Sequence, residues 1–284
     1  MTNTNYPNGD EAARAYWASQ MEMGFDFMEK MRIYPLNECA EGMASIREAV
    51  AGLKVEFSRS LFLNDRYPRI FYIRSGLCGS LRRVAQEMNE RGWILKVEDG
   101  YRTPAMQRAA SHSHSLFDAI LRKVIWELGG TTPTAEFLHR RMTALIAMRC
   151  RVGTHISGSA MDISVIDQNT GGEIGCGGPY PEISERTPWD SPFVTKEERA
   201  HRNEIAAIFL RHRWFAYPYE FWHFSSGDSY AEFLSGSGKP ARYGPIIFEN
   251  GATHPIGAVE SDALLEPVEF YRSQISAALA RIKK

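Results

Sequence analysis

The sequence predicts an α+β protein in which helices pack on a small, mainly antiparallel sheet. Two observations carry that expectation. Apolar residues recur at helical spacing through most of the first half, whereas the strict alternation of Ala160 to Ile166 and the aromatic-rich run from Phe215 to Phe224 mark strands in the second. Prolines and glycines fall between these periodic stretches, where they punctuate the chain.

Residues 11 to 33 place Trp17, Met21, Met28 and Met31 on one face of an amphipathic helix, which Pro35 stops. A second helix, Ser80 to Arg91, gathers Leu81, Val84, Ala85 and Met88 and leads through Gly92 into the strand Trp93 to Val97. Pro104 suits the first position of a helix whose apolar face runs on through Leu116, Ile120, Val124 and Leu128 to Gly129-Gly130. Pro133 restarts a helix reaching about Met148.

After a turn at Ser157-Gly158, Met161, Ile163 and Val165 alternate with Asp162 and Ser164, so Asp162 faces away from the core into a cleft. Asp167 to Pro192 is rich in Gly, Pro and polar residues and reads as the wall or lid of a site. Glu197 to Arg213 is a helix with Ile205, Ile208, Phe209 and His212 on its apolar side. Phe215 to Phe224 reads as a strand. A last helix, capped by Ser261-Asp262 and interrupted early by Pro267, aligns Val268, Tyr271, Ile275, Leu279 and Ile282 and ends in Lys283-Lys284, a charge suited to the helix dipole. Its apolar face is expected to pack within the chain, against the N-terminal helix, or against a second subunit, so the terminal helices are where a homo-oligomer would form.

Chemistry concentrates in two short segments, Thr154-His155-Ile156-Ser157-Gly158-Ser159-Ala160-Met161-Asp162 and Glu220-Phe221-Trp222-His223. Two neutral imidazoles, one carboxylate as third ligand and a second carboxylate left free are the residue types a hydrolytic zinc site needs. His155, Asp162 and His223 are the candidate ligands for one Zn2+ per chain, in a cleft at the sheet. Glu220 is the candidate general base and acid. Upstream, Glu98-Asp99-Gly100-Tyr101-Arg102 ends a strand, where Arg102 can hold an oxyanion and Asp99 can orient its guanidinium. Residues three apart in a regular strand face opposite sides, so Glu220 and His223 need a bulge, a strand end or a helical turn to reach one metal. Ser111-His112-Ser113-His114 is a rival set, but in a helical stretch its histidines do not share a face, and both are expected to be exposed.

These residues resemble the M15-type zinc D-alanyl-D-alanine peptidases, and within them the dipeptidases associated with vancomycin resistance. The resemblance rests on Asp99-Gly100-Tyr101-Arg102, on His155-x-x-Gly158-x-Ala160-x-Asp162 and on Glu220-Phe221-Trp222-His223-Phe224, in the family's order. Ser184-Glu185-Arg186, Arg202-Asn203 and Lys239 to Pro245 are smaller echoes. The resemblance implies zinc on His155, Asp162 and His223, Glu220 as base and Arg102 as transition-state stabiliser. Tyr101, Thr154, Ser159, Tyr180, Glu182 and Trp222 join Asp99 as substrate-binding or supporting residues. The chain departs from the pattern at Gly153, where the family has Ser, at Phe221, where it has Trp, and at Pro181, where the dipeptidases carry an acidic residue that holds the substrate ammonium. Glu182 is the nearest acidic alternative.

By this reading residues 1–55 are a helical extension, 56–246 the zinc peptidase domain and 247–284 a C-terminal extension with an amphipathic helix. With 284 residues and 44% hydrophobic content the chain can bury a sizeable core. Its net charge of -1 provides no general attraction to nucleic acid or anionic membranes. Arg82-Arg83 and Arg140-Arg141 read as solvated helix faces, and Cys39, Cys78, Cys150 and Cys176, with no Cys-x-x-Cys spacing, as free buried thiols. No stretch is apolar enough to span a membrane, and Met1-Thr2-Asn3-Thr4-Asn5 does not open a signal peptide, so a cytoplasmic location is expected. The expected partner is a small peptide containing D-amino acids. Three activities stay open: cleavage of a D-amino-acid dipeptide, D,D-carboxypeptidase or endopeptidase action on longer peptidoglycan stems, and a zinc-containing binding module without catalysis.

Overall fold

The computed structural model describes residues 9–63, 66–147, 152, 154–257 and 266–282. Met148, Cys150, Gly153, Ser261-Asp262 and Lys283-Lys284 lie outside the described residues. The architecture is α+β. A five-stranded sheet has the order β2 (Val55–Phe57), β4 (Trp93–Asp99), β5 (Ala160–Asp167), β7 (His223–Ser225) and β6 (Phe215–Ala216). Only β2 and β4 run parallel, so the sheet is mainly antiparallel. β1 (Met43–Ser45) pairs with β3 (Tyr72–Arg74), and β8 (Ile246–Glu249) with β9 (Ala252–Pro255), as two small ribbons.

The alternation in β5 sorts its side chains as expected. Met161, Ile163 and Val165 join Leu95 and Val97 in a core closed by Leu81, Val84, Ala85 and Met88 of α3 (Cys78–Glu90) and by Ile205, Ile208 and Phe209 of α7 (Lys196–Arg211). Asp162 and Ser164 take the opposite face. α7 begins with a full capping box between Thr195 and Glu198, which supplies two of its unpaired N–H groups with acceptors.

Helices near the two chain ends and those between β4 and β5 form a second body. Trp17, Met21, Met28 and Met31 of α1 (Asp10–Arg32) are buried, as expected of packing residues. α1 packs on α5 (His114–Glu127) and α6 (Ala135–Ile146). α9 (Val268–Ile282) lays Tyr271 and Ala278 against α5 and α6 rather than against α1, so that part of its apolar face is covered within the chain.

Four local expectations are corrected. The helix opened by Pro104 stops after Ser111 and a new one starts at His114, because Ser113 accepts the Leu116 N–H as an N-cap. His112 and His114 are exposed, but at a helix junction. Phe215 to Phe224 is a hairpin, with β6 and β7 joined by a turn over residues 217–222. Cys39 is exposed and Cys78 and Cys176 are half-buried, all free. Arg82 and Arg83 are exposed as expected, but Arg141 is 2% exposed. Its guanidinium donates to Glu127 Oε1 at 2.5 Å and to Glu22 Oε1 at 2.5 Å, tying α6 to α5 and α1. Removing one partner of a buried ion pair strands the other charge. Arg141→Ala is therefore expected to lower unfolding stability by about 3 kcal/mol in denaturant titration, against under about 0.5 kcal/mol for exposed Arg83→Ala.

Candidate metal centre

Cross-strand register assembles the centre. Asp99 stands opposite Asp162, and Asp162 opposite His223, so three adjacent strands present one row of polar side chains. Asp99 enters that row because β4 shifts register between Val97 and Asp99, setting both Glu98 and Asp99 against Asp162. His155 comes from the turn before β5. Gly158 in that turn has φ +66, a left-handed conformation that favours glycine, and a Cβ there would also displace the end of the Met43 side chain. Gly100 has a similar role, since a Cβ would come 2.7 Å from the Ile70 carbonyl oxygen.

His155, Asp162 and His223 are all buried, and their ligating atoms lie within 4.8 Å of one another. Asp162 Oδ1 is 3.2 Å from His155 Nε2 and 3.0 Å from His223 Nδ1. The far side of each ring determines the near one. His155 Nδ1 donates to the Gly100 carbonyl at 2.7 Å, which leaves Nε2 with a lone pair towards the centre. His223 Nε2 contacts Thr154 Oγ1 at 2.8 Å, and with that nitrogen donating, Nδ1 faces inwards as an acceptor. Three acceptors converging on one point are a ligand set in search of a cation. Burial holds the His223 imidazole below its ordinary pKa and so keeps it neutral.

Asp162 divides its oxygens. Oδ2, the one turned from the imidazoles, accepts from Arg102 Nη2 at 2.9 Å and from the Tyr180 hydroxyl at 2.9 Å. Burial alone would raise its carboxyl, but His155, His223 and Arg102 outweigh that and hold it well below the carboxylate range. Arg102 in turn donates Nε to Asp99 Oδ2 at 2.8 Å, the orienting contact expected from sequence. Glu220 sits in the turn before β7, which resolves the spacing problem as a strand end; its Oε2 lies 3.9 Å from His223 Nδ1. Burial, then the Asp162 charge, push the Glu220 carboxyl up to about 8, with Arg102 opposing.

The supporting residues divide. Thr154 and Tyr180 touch the cluster, Asp99 reaches it through Arg102, and the Trp222 ring packs 5.7 Å from Tyr180 as a wall. Tyr101 points elsewhere, its hydroxyl donating to the Ile246 carbonyl at 2.9 Å. Ser159 donates to Asp228 Oδ2 at 2.7 Å and stitches the His155 turn to α8 (Ser229–Ser235), for which Asp228 is the N-cap. Glu182 accepts from Ser184 Oγ at 2.5 Å within its own loop.

Two buried arginines that carry no role in the site motifs hold the surrounding loops. Arg74 donates Nε to the Ser157 carbonyl at 2.7 Å and Nη2 to Gly244 O at 3.0 Å, with Glu38 as counter-ion. Arg202 gives hydrogen bonds to the carbonyls of Cys176, Arg186, Pro188 and Trp189, bracketing the loop that carries Tyr180. Burial lowers its pKa to about 10. Asp228 had a visible signal, an N-capping Asp before a short helix; Arg74 had none, because its partners are far along the chain.

Among known proteins, the chain is similar to peptidases. The M15 peptidase family, described as D-ala-D-ala dipeptidase, matches residues 135–235, a span that includes His155, Asp162, Glu220 and His223 but not Arg102. Over that span the chain is similar to the M15-type D-Ala-D-Ala peptidases that its motifs resemble. The D-alanyl-D-alanine dipeptidase of Synechocystis sp. is 25% identical over 217 residues, 68% of this chain and 85% of that protein. The solved structure of the LdcB LD-carboxypeptidase aligns at 16% identity with a TM-score of 0.37, covering 74% of this chain and 80% of that one. Among the described residues no helix is long and apolar enough to cross a membrane.

Two measurements check the centre. Zinc titration should show sharp loss of affinity for His155→Ala, Asp162→Ala and His223→Ala, a loss of about tenfold to a hundredfold for Thr154→Val, and none for His112→Ala. In metal-free protein, the Glu220 pKa is raised from 4.5 to about 8, so its protonated form is the one the fold favours. That stability is present at low pH and lost as pH rises through the interval. Glu220→Gln, which does not titrate, should therefore gain thermal stability relative to wild type between pH 5 and about pH 8 in the presence of chelator; a constant difference would count against the buried carboxyl.

Proposed function

We propose that the chain is a zinc-dependent hydrolase of D-alanyl-D-alanine or a similar D-amino-acid dipeptide. The observation that carries this is the buried His155, Asp162 and His223 set with Glu220 beside it. The donor set suits zinc: two imidazoles and one carboxylate, with three protein ligands leaving a position for substrate or water. When bound, zinc would supply Lewis acidity to the scissile carbonyl and to an attacking water. The family match and the Synechocystis relative support a peptidase.

The chain's own groups take the remaining roles. Glu220 receives the proton of the attacking water and returns it to the departing amine. Arg102 has Nε and Nη2 committed to Asp99 and Asp162, which leaves Nη1 for the developing oxyanion and makes the rest of the guanidinium a rigid mount. A purely structural zinc is disfavoured, because closed sites take four protein ligands and three converge here among the described residues.

A second reading, D,D-carboxypeptidase action on longer stem peptides, is favoured by one feature. Pro181 has no carboxylate to hold a free ammonium next to the scissile bond, and the adjacent Glu182 turns Oε1 to the Ser184 hydroxyl within its own loop. Glu220→Gln should lose about a hundred- to ten-thousand-fold in turnover while keeping its zinc; unchanged turnover at full metal occupancy would remove the base assignment. Side-by-side rates on D-Ala-D-Ala and its N-acetyl counterpart separate the two substrates. The dipeptide should be cleaved faster, and a preference for the blocked form would select the carboxypeptidase.

A further inference from the structure

A cleft of about 480 Å³ opens beside the metal centre on the polar face of the sheet, bounded by Ser58, Ser60, Arg69, Lys96, Tyr180 and Pro181 among others. Its charges are unevenly matched. Lys96 is held by Glu98 at 2.6 Å and by Glu173 at 2.8 Å. Arg69, whose side chain is 8% exposed, has no such satisfaction. Its Nη1 lies 3.3 Å from Asp99 Oδ2 but makes no hydrogen bond, and that oxygen is already taken by Arg102 at 2.8 Å. Its other contacts are to neutral oxygens, the Ser60 carbonyl at 2.9 Å and Ser60 Oγ at 3.3 Å. The Tyr180 ring centroid is 5.8 Å from the guanidinium carbon, so Arg69 and Arg102 flank the tyrosine that bonds Asp162.

We propose that Arg69 is a specificity residue that binds a carboxylate of the peptide substrate in this cleft. A guanidinium in a nearly water-free wall is costly without an anion, and the anion it faces is shared. The carboxylate can be the chain terminus next to the scissile bond or an acidic side chain of a longer peptide. The inference rests on the peptidase reading for its substrate, but its test needs no turnover.

Calorimetric titration of the zinc-loaded protein with three probes decides it. These are N-acetyl-D-alanine, with a terminal carboxylate; N-acetyl-D-glutamate α-amide, with a side-chain carboxylate alone; and N-acetyl-D-alaninamide, with neither. One acid should bind about tenfold to a hundredfold more tightly than the amide, and which acid does so identifies the source. Arg69→Gln should abolish that discrimination and Arg69→Lys should retain part of it, with zinc content and far-UV circular dichroism unchanged. Equal binding of all three probes by wild type, absence of binding by any of them, or full discrimination in Arg69→Gln would overturn the proposal, and the first two hold even if the variants do not fold. D-Ala-D-Ala hydrolysis on the same wild-type sample reports separately on the peptidase reading.

Discussion

The Asp162 carboxylate is the interaction on which the site depends. An isolated ionised carboxylate in the protein interior is prohibitively costly, so each of its oxygens must be met by donors or by a cation. Oδ2 is met by Arg102 and Tyr180. Oδ1 faces only the two imidazoles, whose outer nitrogens are engaged by Gly100 and Thr154. The arrangement therefore fixes which oxygen is free to ligate. Asp99 acts on the same carboxylate without touching it, because it orients the Arg102 fork that occupies Oδ2.

Sheet hydrogen bonding can hold Asp162 and His223 in register, but it cannot hold the turn with His155 or the loop with Tyr180. Buried arginines do that instead. A guanidinium offers five donors in a rigid plane, enough to gather several main-chain carbonyls of an irregular segment that would otherwise be buried unpaired. Arg74 fastens Ser157 and Gly244 in this way, and Arg202 fastens four carbonyls between Cys176 and Trp189. The Arg202 ring contact with Phe221, 4.3 Å from guanidinium to centroid, links the same loop to the turn that carries Glu220. The His155 turn, the Tyr180 loop and the Glu220 turn are thus each tied to the frame by side chains remote in sequence.

What could be read from sequence follows the range of the interactions involved. The alternation of β5, the amphipathic faces of α3 and α7 and the order of the site motifs are local, and all were legible. So was the mutual service of Asp99 and Arg102, three residues apart. The break at His112-Ser113 was obscured because its apolar spacing continues across it while a single serine cap decides the outcome. Arg141 looked like a solvated charge because Glu22 and Glu127, the residues that permit its burial, lie on other helices. Ser159 and Tyr101 carry the right motif positions, yet their hydroxyls turn to Asp228 and to Ile246 O, partners 69 and 145 residues away. Side-chain direction in a turn is set by such partners, and nothing in the neighbouring residues records them.

The register shift in β4 shows fold and site meeting in one irregularity. In unbroken antiparallel pairing, Glu98 alone would stand opposite Asp162, continuing the series from Lys96 and Val97. The extra residue lets Glu98 serve the polar face, accepting from Ser164 Oγ at 2.9 Å, while Asp99 enters the ligand row and still leaves Gly100 free to pass close under Ile70. A regular strand would supply one carboxylate for both tasks. Two distinct carboxylates let the sheet floor and the arginine mount be built independently, which is why a strand otherwise governed by the hydrophobic core loses regularity at its last two residues, where it reaches the centre.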